Sequence, residues 1–502
     1  MKKRMLTLLI AALLLSSGLT ACGDSTAEKT TDTTSANATD TTAVVETDDL
    51  TDYELRQLIS DDLPESDFGG QEFRVLTNAP TIAAYDAVSF EIVADELNGD
   101  ACNDAVFNRN VDIGERFNTS IVMTEDKEPW TACKNLVLAG TDDFDLVGFY
   151  NFESCELINA GALLNWIEIP HVDLDKPWHN SLANSNATIN DRLYSICSDL
   201  SITSMTYTYA IFFNQKTLND QGYSAEDLYN MVRDGSWTID TMSAMVESMY
   251  VDVNGDGKAD TGDRYGFGYN IVNPADVWTV AFNLPLCSVT KDNRIEINFM
   301  SDKTVSILEK LLAFHYENPG FIKLTATQYE EEDYFLNGQL AMAPLRFAAA
   351  YSDLREMEDP YAMLPWPKWD TEQDAYYTNA DDKFTAFGVP LTAYGNIDFV
   401  GTIYEALCAE SYKKVYPAYY DIALKGKYST DAGTAEMVDL IMAGRNFDFS
   451  FQFGISHFQR LPYLIRDLIV ANNSNLASKW ESVEKQMSKA IDEKLLPLYG
   501  IE

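Results

Sequence analysis

From about residue 70 onward, apolar residues come in short blocks set off by polar turns. The blocks at 73–77 (FRVLT), 120–123 (SIVM), 144–150 (FDLVGFY), 193–197 (LYSIC) and 209–213 (YAIFF) have the length and β-branched or aromatic content of strands. Between them lie stretches with helical spacing. Residues 106–117 carry an amphipathic stripe. Residues 237–249 open on Thr238, which can cap, with Trp237 placed to staple onto Met242. Two further stripes, Ile397, Val400, Tyr404, Leu407, Cys408 and Leu476, Trp480, Val483, Met487, Ile491, recur every three or four residues and predict packed helices, with Trp480 in a core. Strands alternating with helices predict an α/β fold. There is no internal repeat.

The chain start reads differently. Lys2, Lys3 and Arg4 precede an apolar run to Leu15, then small residues, then Leu19-Thr20-Ala21-Cys22. That layout predicts a secretory signal over residues 1–21. The last four residues resemble the bacterial lipobox, which implies lipidation at Cys22 and an extracytoplasmic protein held to the cell membrane by its N-terminal lipid. Residues 22–66 then read as anchor and flexible tether, because their first half is Thr, Ser, Ala, Asp and Asn with almost nothing to bury; a short helix is predicted at 53–59. No later run is long and apolar enough to span a bilayer.

Composition narrows the function. With 502 residues the chain is too long for one ordinary core, so two lobes are expected. A net charge of −42 argues against nucleic acid as a partner, since both would repel. Beyond Cys22, cysteines 102, 133, 155, 197, 287 and 408 could pair or stay free, and no CxxC occurs. The four histidines, at 171, 179, 315 and 457, are scattered without HExxH. There is no GxSxG and no phosphate-binding GxxxxGK, and Gly266-Phe-Gly268 is not completed, because residue 271 is Ile.

One segment has specific spacing. Asp252, Asn254, Asp256, Asp260 and Asp263 place oxygens at loop positions 1, 3, 5, 9 and 12, with Gly257 at the sharp turn and the Lys258 carbonyl at position 7. This is the EF-hand pattern with Asp in place of Glu at position 12, and it predicts a structural Ca²⁺ site. An ordinary Asp/Asn/Gly turn is the alternative. Residues 265–269 (YGFGY) look like a strand, so no second EF helix follows.

The order of pieces FDLVGFY (144–150), GALLNW (161–166), LYSI (193–196), IFFNQK (211–216), GSWTID (235–240), the Asp-rich loop, FLNGQLAM (335–342) and LPWPK (364–368) resembles the family 1, sugar-binding type of extracellular solute-binding protein of ABC transporters, the group that includes maltose-binding protein. The resemblance implies a two-lobed periplasmic-binding-protein-like fold with hinge segments crossing between lobes: residues 67–204 plus 381–444 in lobe 1, and 205–380 plus 445–502 in lobe 2. It implies a monomeric, non-enzymatic protein that captures a carbohydrate, expected to be a neutral oligosaccharide, and presents it to permease subunits. A surface glycan-active hydrolase, a binder of peptide or another polar solute, and a scaffold without a small ligand are the competing readings. Cleft contacts implied by the family's layout are Tyr150, Asn151, Asp199, Tyr207, Asp276, Trp278, Arg346, Trp366, Gln459 and Tyr463. Aromatic faces would cover sugar C–H faces, and the amide, acid and guanidinium groups would bind hydroxyls. Trp278 is expected to be the main stacking platform.

Overall fold

The computed structural model describes residues 50–79, 91–325, 330–420, 424 and 432–502; Cys22, the signal segment and the tether up to residue 49 lie outside the described residues. Strand β1 (Gln71–Asn78) runs parallel to β2 (Thr119–Asp126) and β3 (Leu146–Tyr150). Helices Ala101–Phe117 and Pro129–Ala139 make the crossovers. The first starts where Asp100 accepts from the Cys102 and Asn103 amides, and it stops at left-handed Asn118. The chain then passes into a second sheet through β4 (Tyr209–Asn214) and β5 (Tyr265–Asn270), and a small β6–β7 hairpin (Cys287–Val289, Ile295–Ile297) projects before β8 (Phe321–Leu324), β9 (Leu340–Arg346) and β10 (Tyr361–Leu364) complete that sheet. Its strand order is β10-β4-β9-β5-β8, with β5 parallel to β8 and β9 and the pairs β4–β9 and β4–β10 antiparallel. Short β11 (Thr378–Asn379) precedes β12 (Thr385–Gly388), which returns to the first sheet antiparallel to β3, and β13 (Arg445–Asn446) pairs with β11.

Inner strands such as β3 and β4 are buried on both faces, so helices must cover the sheets there. Ile397–Glu410 covers the first sheet with Phe399, Val400, Ile403 and Leu407 around Phe73 and Val75. Ile239–Ser248 lies against the second sheet and is capped by Thr238. It approaches so closely that a Cβ on Gly320 would sit 1.7 Å from the Val246 carbonyl oxygen, so only glycine fits there.

Three segments cross between the sheets side by side. Thr208 bridges to Ala380, β11 pairs with β13, the Thr378 hydroxyl donates to the Tyr209 carbonyl at 2.7 Å, and Arg445 Nη1 donates to the Ser204 carbonyl at 2.8 Å. The architecture is the expected one, with two corrections to the division of the chain. Helix Ala432–Ala443 packs on the second lobe, not the first: Val438 and Ile441 join the cluster that holds Phe212 and Met363, and Thr434 meets the Tyr229 hydroxyl at 2.7 Å. Conversely, Gln452 reaches Ser154 (3.0 Å) and Ser195 (2.5 Å) of lobe 1, and Tyr194 donates to the Leu498 carbonyl, so the C-terminal part bridges both lobes instead of belonging to lobe 2.

Three local expectations also change. Residues 193–197 do not form a strand: the backbone bends at Tyr194 and Ser195, and only Ile196 makes an isolated bridge, to Phe387. Trp480 is only partly buried, resting on Phe299 at 5.5 Å. Residues 51–66 are not tether. Thr51 caps helix Asp52–Gln57 in a reciprocal box with Glu54, Arg56 lies over the Tyr412 and Tyr416 rings (4.4 and 4.6 Å), and Asp61 pairs with Arg116. Ile59 and Leu63 pack on the lobe 1 core. These apolar residues are too widely spaced among acids to form a recognisable block, yet each finds a partner on lobe 1.

The cysteines at 102, 133, 155, 197, 287 and 408 are all free thiols. No described helix is long and apolar enough to cross a membrane.

Deleting residues 51–66 is expected to lower the melting temperature, whereas a true tether could be removed at no cost. Asp61→Ala alone is expected to cost about 1 kcal/mol or less, because Asp61 is buried but its partner Arg116 is exposed and stays solvated; denaturant unfolding of both variants checks this.

Candidate binding site at the lobe crossing

The strand register decides which polar groups meet. β4 and β9 pair so that Tyr209 lies opposite Arg346, and β3 and β12 pair so that Tyr150 lies opposite Thr385. The turn before β12, residues 380–384, is thereby drawn under both lobes. Asp381, only 2% exposed, sits at its centre. Its Oδ2 accepts from Arg346 Nη1 at 3.3 Å, Asn273 Nδ2 at 3.0 Å and the Tyr209 hydroxyl at 3.1 Å, and its Oδ1 accepts the Lys383 amide at 3.1 Å. Burial alone would raise the Asp381 pKa, but the Arg346 guanidinium holds it below the usual carboxylate range. Arg346 in turn lies over the Tyr207 ring at 4.7 Å.

Helix starts from lobe 2 close on the same point. Asn273 and Asp276 lie in the first turn of helix Asn273–Ala281. Asp276 Oδ2 accepts from Arg466 Nη1 at 2.6 Å, and Arg466 lies over the Tyr463 ring at 4.6 Å. The Tyr463 hydroxyl donates to Asp382 Oδ2 at 2.5 Å. Burial, and then the neighbouring Asp381 charge, push Asp382 up to about 7; burial pushes Asp276 well above its ordinary value. Tyr150 closes the lobe 1 side, with Trp130 at 5.9 Å and Phe152 stacked at 6.0 Å. Tyr150, Asn273, Asp382 and Arg466 are half-buried, while Tyr207, Asp276, Arg346, Asp381 and Tyr463 are buried.

The ten sequence-derived contacts therefore divide. Tyr150, Tyr207, Asp276, Arg346 and Tyr463 gather here, and the Asn151 amide donates to Phe384 beside them. Asn151 also lines a separate, partly open pocket of about 30 Å³ with Ser195 and Gln452. Asp199 lies elsewhere: its amide donates to Trp178, and its carboxyl, pushed up to about 7 by burial, sits near Arg56 and Arg445. Gln459 occupies a left-handed turn (φ 48°) four residues before Tyr463. Trp278 and Trp366 correct the expectation outright. Both are fully buried, edge to face at 4.7 Å, and the Trp278 Nε1 donates to the Tyr269 hydroxyl at 2.8 Å. The loop-like residues 273–276 that seemed to present Trp278 to a cleft are the first turn of a helix whose next turn points inward.

Sequence reading missed Asn273, Asp381, Asp382 and Arg466. A signal existed for two of them: Asp381-Asp382 is an acidic pair between apolar strands, and Arg466-Asp467 interrupts the otherwise apolar LIRDLIV helix.

In the loop 252–263 the oxygens turn inward on the loop itself. Asp252 accepts from the Gly255 and Gly257 amides, Asn254 from Asp256, Asp256 from Lys258, and Asp263 from Val253 and the Tyr250 hydroxyl. The donor types suit a hard cation, but among the described residues no three acidic, histidine or cysteine side chains are drawn together as a metal group.

Trp278→Ala is expected to destabilise the fold by about 3–5 kcal/mol, the cost of emptying a packed aromatic site. Equilibrium denaturation measures it; a variant of unchanged stability would contradict the core placement.

No family profile and no curated protein matches the chain. Solved structures do. A cyclo/maltodextrin-binding protein complexed with maltotetraose is 13% identical, over 84% of this chain and 97% of that one, with a TM-score of 0.54. An ABC transporter solute-binding protein from Thermotoga lettingae bound with α-D-tagatose is 10% identical over 84% and 100%, TM-score 0.53. A family 1 extracellular solute-binding protein from Bifidobacterium longum subsp. infantis is 10% identical over 86% and 100%, TM-score 0.51. The chain has the two-lobed α/β fold of these ABC-transporter solute-binding proteins.

Proposed function

We propose that this protein is the substrate-binding component of an ABC importer and captures an oligosaccharide without acidic groups at the lobe crossing. The observation that carries this reading is the cluster around Asp381: aromatic rings of Tyr150, Tyr207 and Tyr463 stand beside acid, amide and guanidinium groups supplied by both lobes. Aromatic faces suit the C–H face of a pyranose, and the polar groups fork to its hydroxyls. Closing two lobes around one ligand is a hinge motion, and it converts occupancy into a shape a permease can recognise. The ligands bound in two of these neighbours, maltotetraose and α-D-tagatose, agree with a sugar.

Lipidation at Cys22 completes the reading by keeping the binding protein beside its permease; Cys22→Ala is expected to release it from membranes. A Ca²⁺ ion at Asp252, Asn254, Asp256, Asp260, Asp263 and the Lys258 carbonyl would be a clip on lobe 2, remote from the cluster. Calorimetric titration of the chelated protein decides that point, and absence of uptake at millimolar Ca²⁺ leaves an ordinary turn.

The function is tested by a thermal-shift screen of the protein against a glycan panel. A ligand that binds only the folded state raises the melting temperature, by an amount that grows with the ratio of its concentration to Kd. The expected result is stabilisation by one glycan class, recovered unchanged afterwards. Cleavage of the glycan would assign a hydrolase, and stabilisation by peptides alone would assign a peptide binder.

A further inference from the structure

The helix that brings Asn273 and Asp276 to the crossing is not held by its own start. Helix Asn273–Ala281 begins after Val272 with no side-chain cap, and Pro274 stands in its first turn. A start of that kind takes its placement from tertiary contacts. Successive residues of a helix are turned by about 100°, so Asp276 and Trp278 point to nearly opposite sides. The face that carries Trp278 therefore decides where the Asp276 face sits.

A chain of hydrogen bonds holds that rear face. Trp278 Nε1 donates to the Tyr269 hydroxyl at 2.8 Å, the hydroxyl meets His315 Nε2 at 2.5 Å, and His315 Nδ1 lies 2.6 Å from the Leu311 carbonyl. The direction of each bond follows from its ends. A carbonyl only accepts, so Nδ1 carries the ring proton. An indole N–H only donates, so the Tyr269 hydroxyl accepts from Trp278 and gives its own proton to Nε2. Burial holds the His315 pKa down to about 4, which keeps Nε2 an acceptor near neutral pH. Tyr269 and Trp278 are fully buried and His315 is 5% exposed. Three elements are joined in this way: β5, which carries Tyr269 and leads directly into the helix; helix Asp302–Tyr316, which carries His315; and the helix itself. Trp366 and Phe314 pack edge to face on the indole at 4.7 and 5.7 Å. Packing sets its depth, and the directed hydrogen bonds set its rotation.

We propose that Tyr269 and His315 are positioning residues of the binding site: through Trp278 they fix the phase of helix Asn273–Ala281, and so hold Asn273 against Asp381 and Asp276 against Arg466 in the geometry that receives ligand. This rests on the carbohydrate-binding reading above and adds two residues that touch no ligand. Tyr269→Phe keeps the ring but leaves the indole N–H and His315 Nε2 buried and unpaired. The helix then gains by shifting to serve them, and the Asp276 face shifts with it.

The test compares wild type, Tyr269→Phe and Phe299→Leu, the last a core change on lobe 2 where Phe299 is buried against Trp480. Hydrogen–deuterium exchange of the ligand-free full-length proteins comes first. The expected result is exchange faster by roughly fivefold or more, confined to residues 273–282, in Tyr269→Phe and not in Phe299→Leu. Calorimetric titration with maltotriose, cellotriose and xylotriose follows, at a temperature where all three proteins are folded. Whichever trimer binds the wild type is expected to bind Tyr269→Phe about fivefold or more weaker and Phe299→Leu unchanged. His315→Leu, which removes the acceptor at the other end of the chain, is expected to act as Tyr269→Phe does, and it serves if that variant does not fold. A merely structural hydroxyl would lower the melting temperature of Tyr269→Phe and leave Kd and local exchange at their wild-type values; that result would overturn the proposal, as would exchange accelerated alike throughout lobe 2. If no glycan, in this titration or in the panel screen, binds the wild type, the carbohydrate reading falls, and the exchange comparison still decides whether the chain positions the helix.

Discussion

A buried carboxylate must be compensated, and in this protein compensating Asp381 ties the lobes together. Its oxygens draw in Arg346 and Tyr209 from β9 and β4 and Asn273 from a helix start, all on lobe 2. The chain that carries Asp381 continues directly into β12 of lobe 1. Removing any one partner would leave an ion or a polar group exposed to an apolar interior, which is costly in a way that surface pairs are not. The crossing segments are thus fixed by polar chemistry as well as by the short β11–β13 ladder.

The same constraint explains why the site is there. Polar groups gathered to satisfy Asp381 leave others less well served: Asp276 Oδ1 without a donor and Asp382 with a raised pKa. Stability given up at one place is common where ligands bind.

The periodicity of the sequence exposed most of the scaffold. β1, β3 and β4, the Thr238-capped helix and the Ile397 and Leu476 stripes appear where apolar spacing places them, because burial on a sheet or helix face leaves a repeating mark. Packing without periodicity was invisible. Residues 51–66 hold on through single contacts such as Arg56 over Tyr412, and helix Ala432–Ala443 gives no sign in its own sequence of which lobe it will cover. The site was half legible. Tyr207, Asp276 and Arg346 stand beside strand ends and helix starts, which a fold resemblance can locate. Trp278 misled because an aromatic residue just after a Pro-containing turn looks like a loop side chain until the helix phase is known. Asp381 and Arg466 acquire their meaning only from partners distant in sequence.

The central claim is that ligand is held between the lobes at the Asp381 crossing and couples its occupancy to closure. Small-angle solution scattering, with and without a saturating amount of the glycan that most stabilises the protein, tests it most directly. The account predicts a smaller radius of gyration on binding in the wild-type protein, and loss of that change in Asp276→Ala at the same glycan concentration. An unchanged radius at demonstrated saturation, or compaction that is indifferent to Asp276, would contradict it.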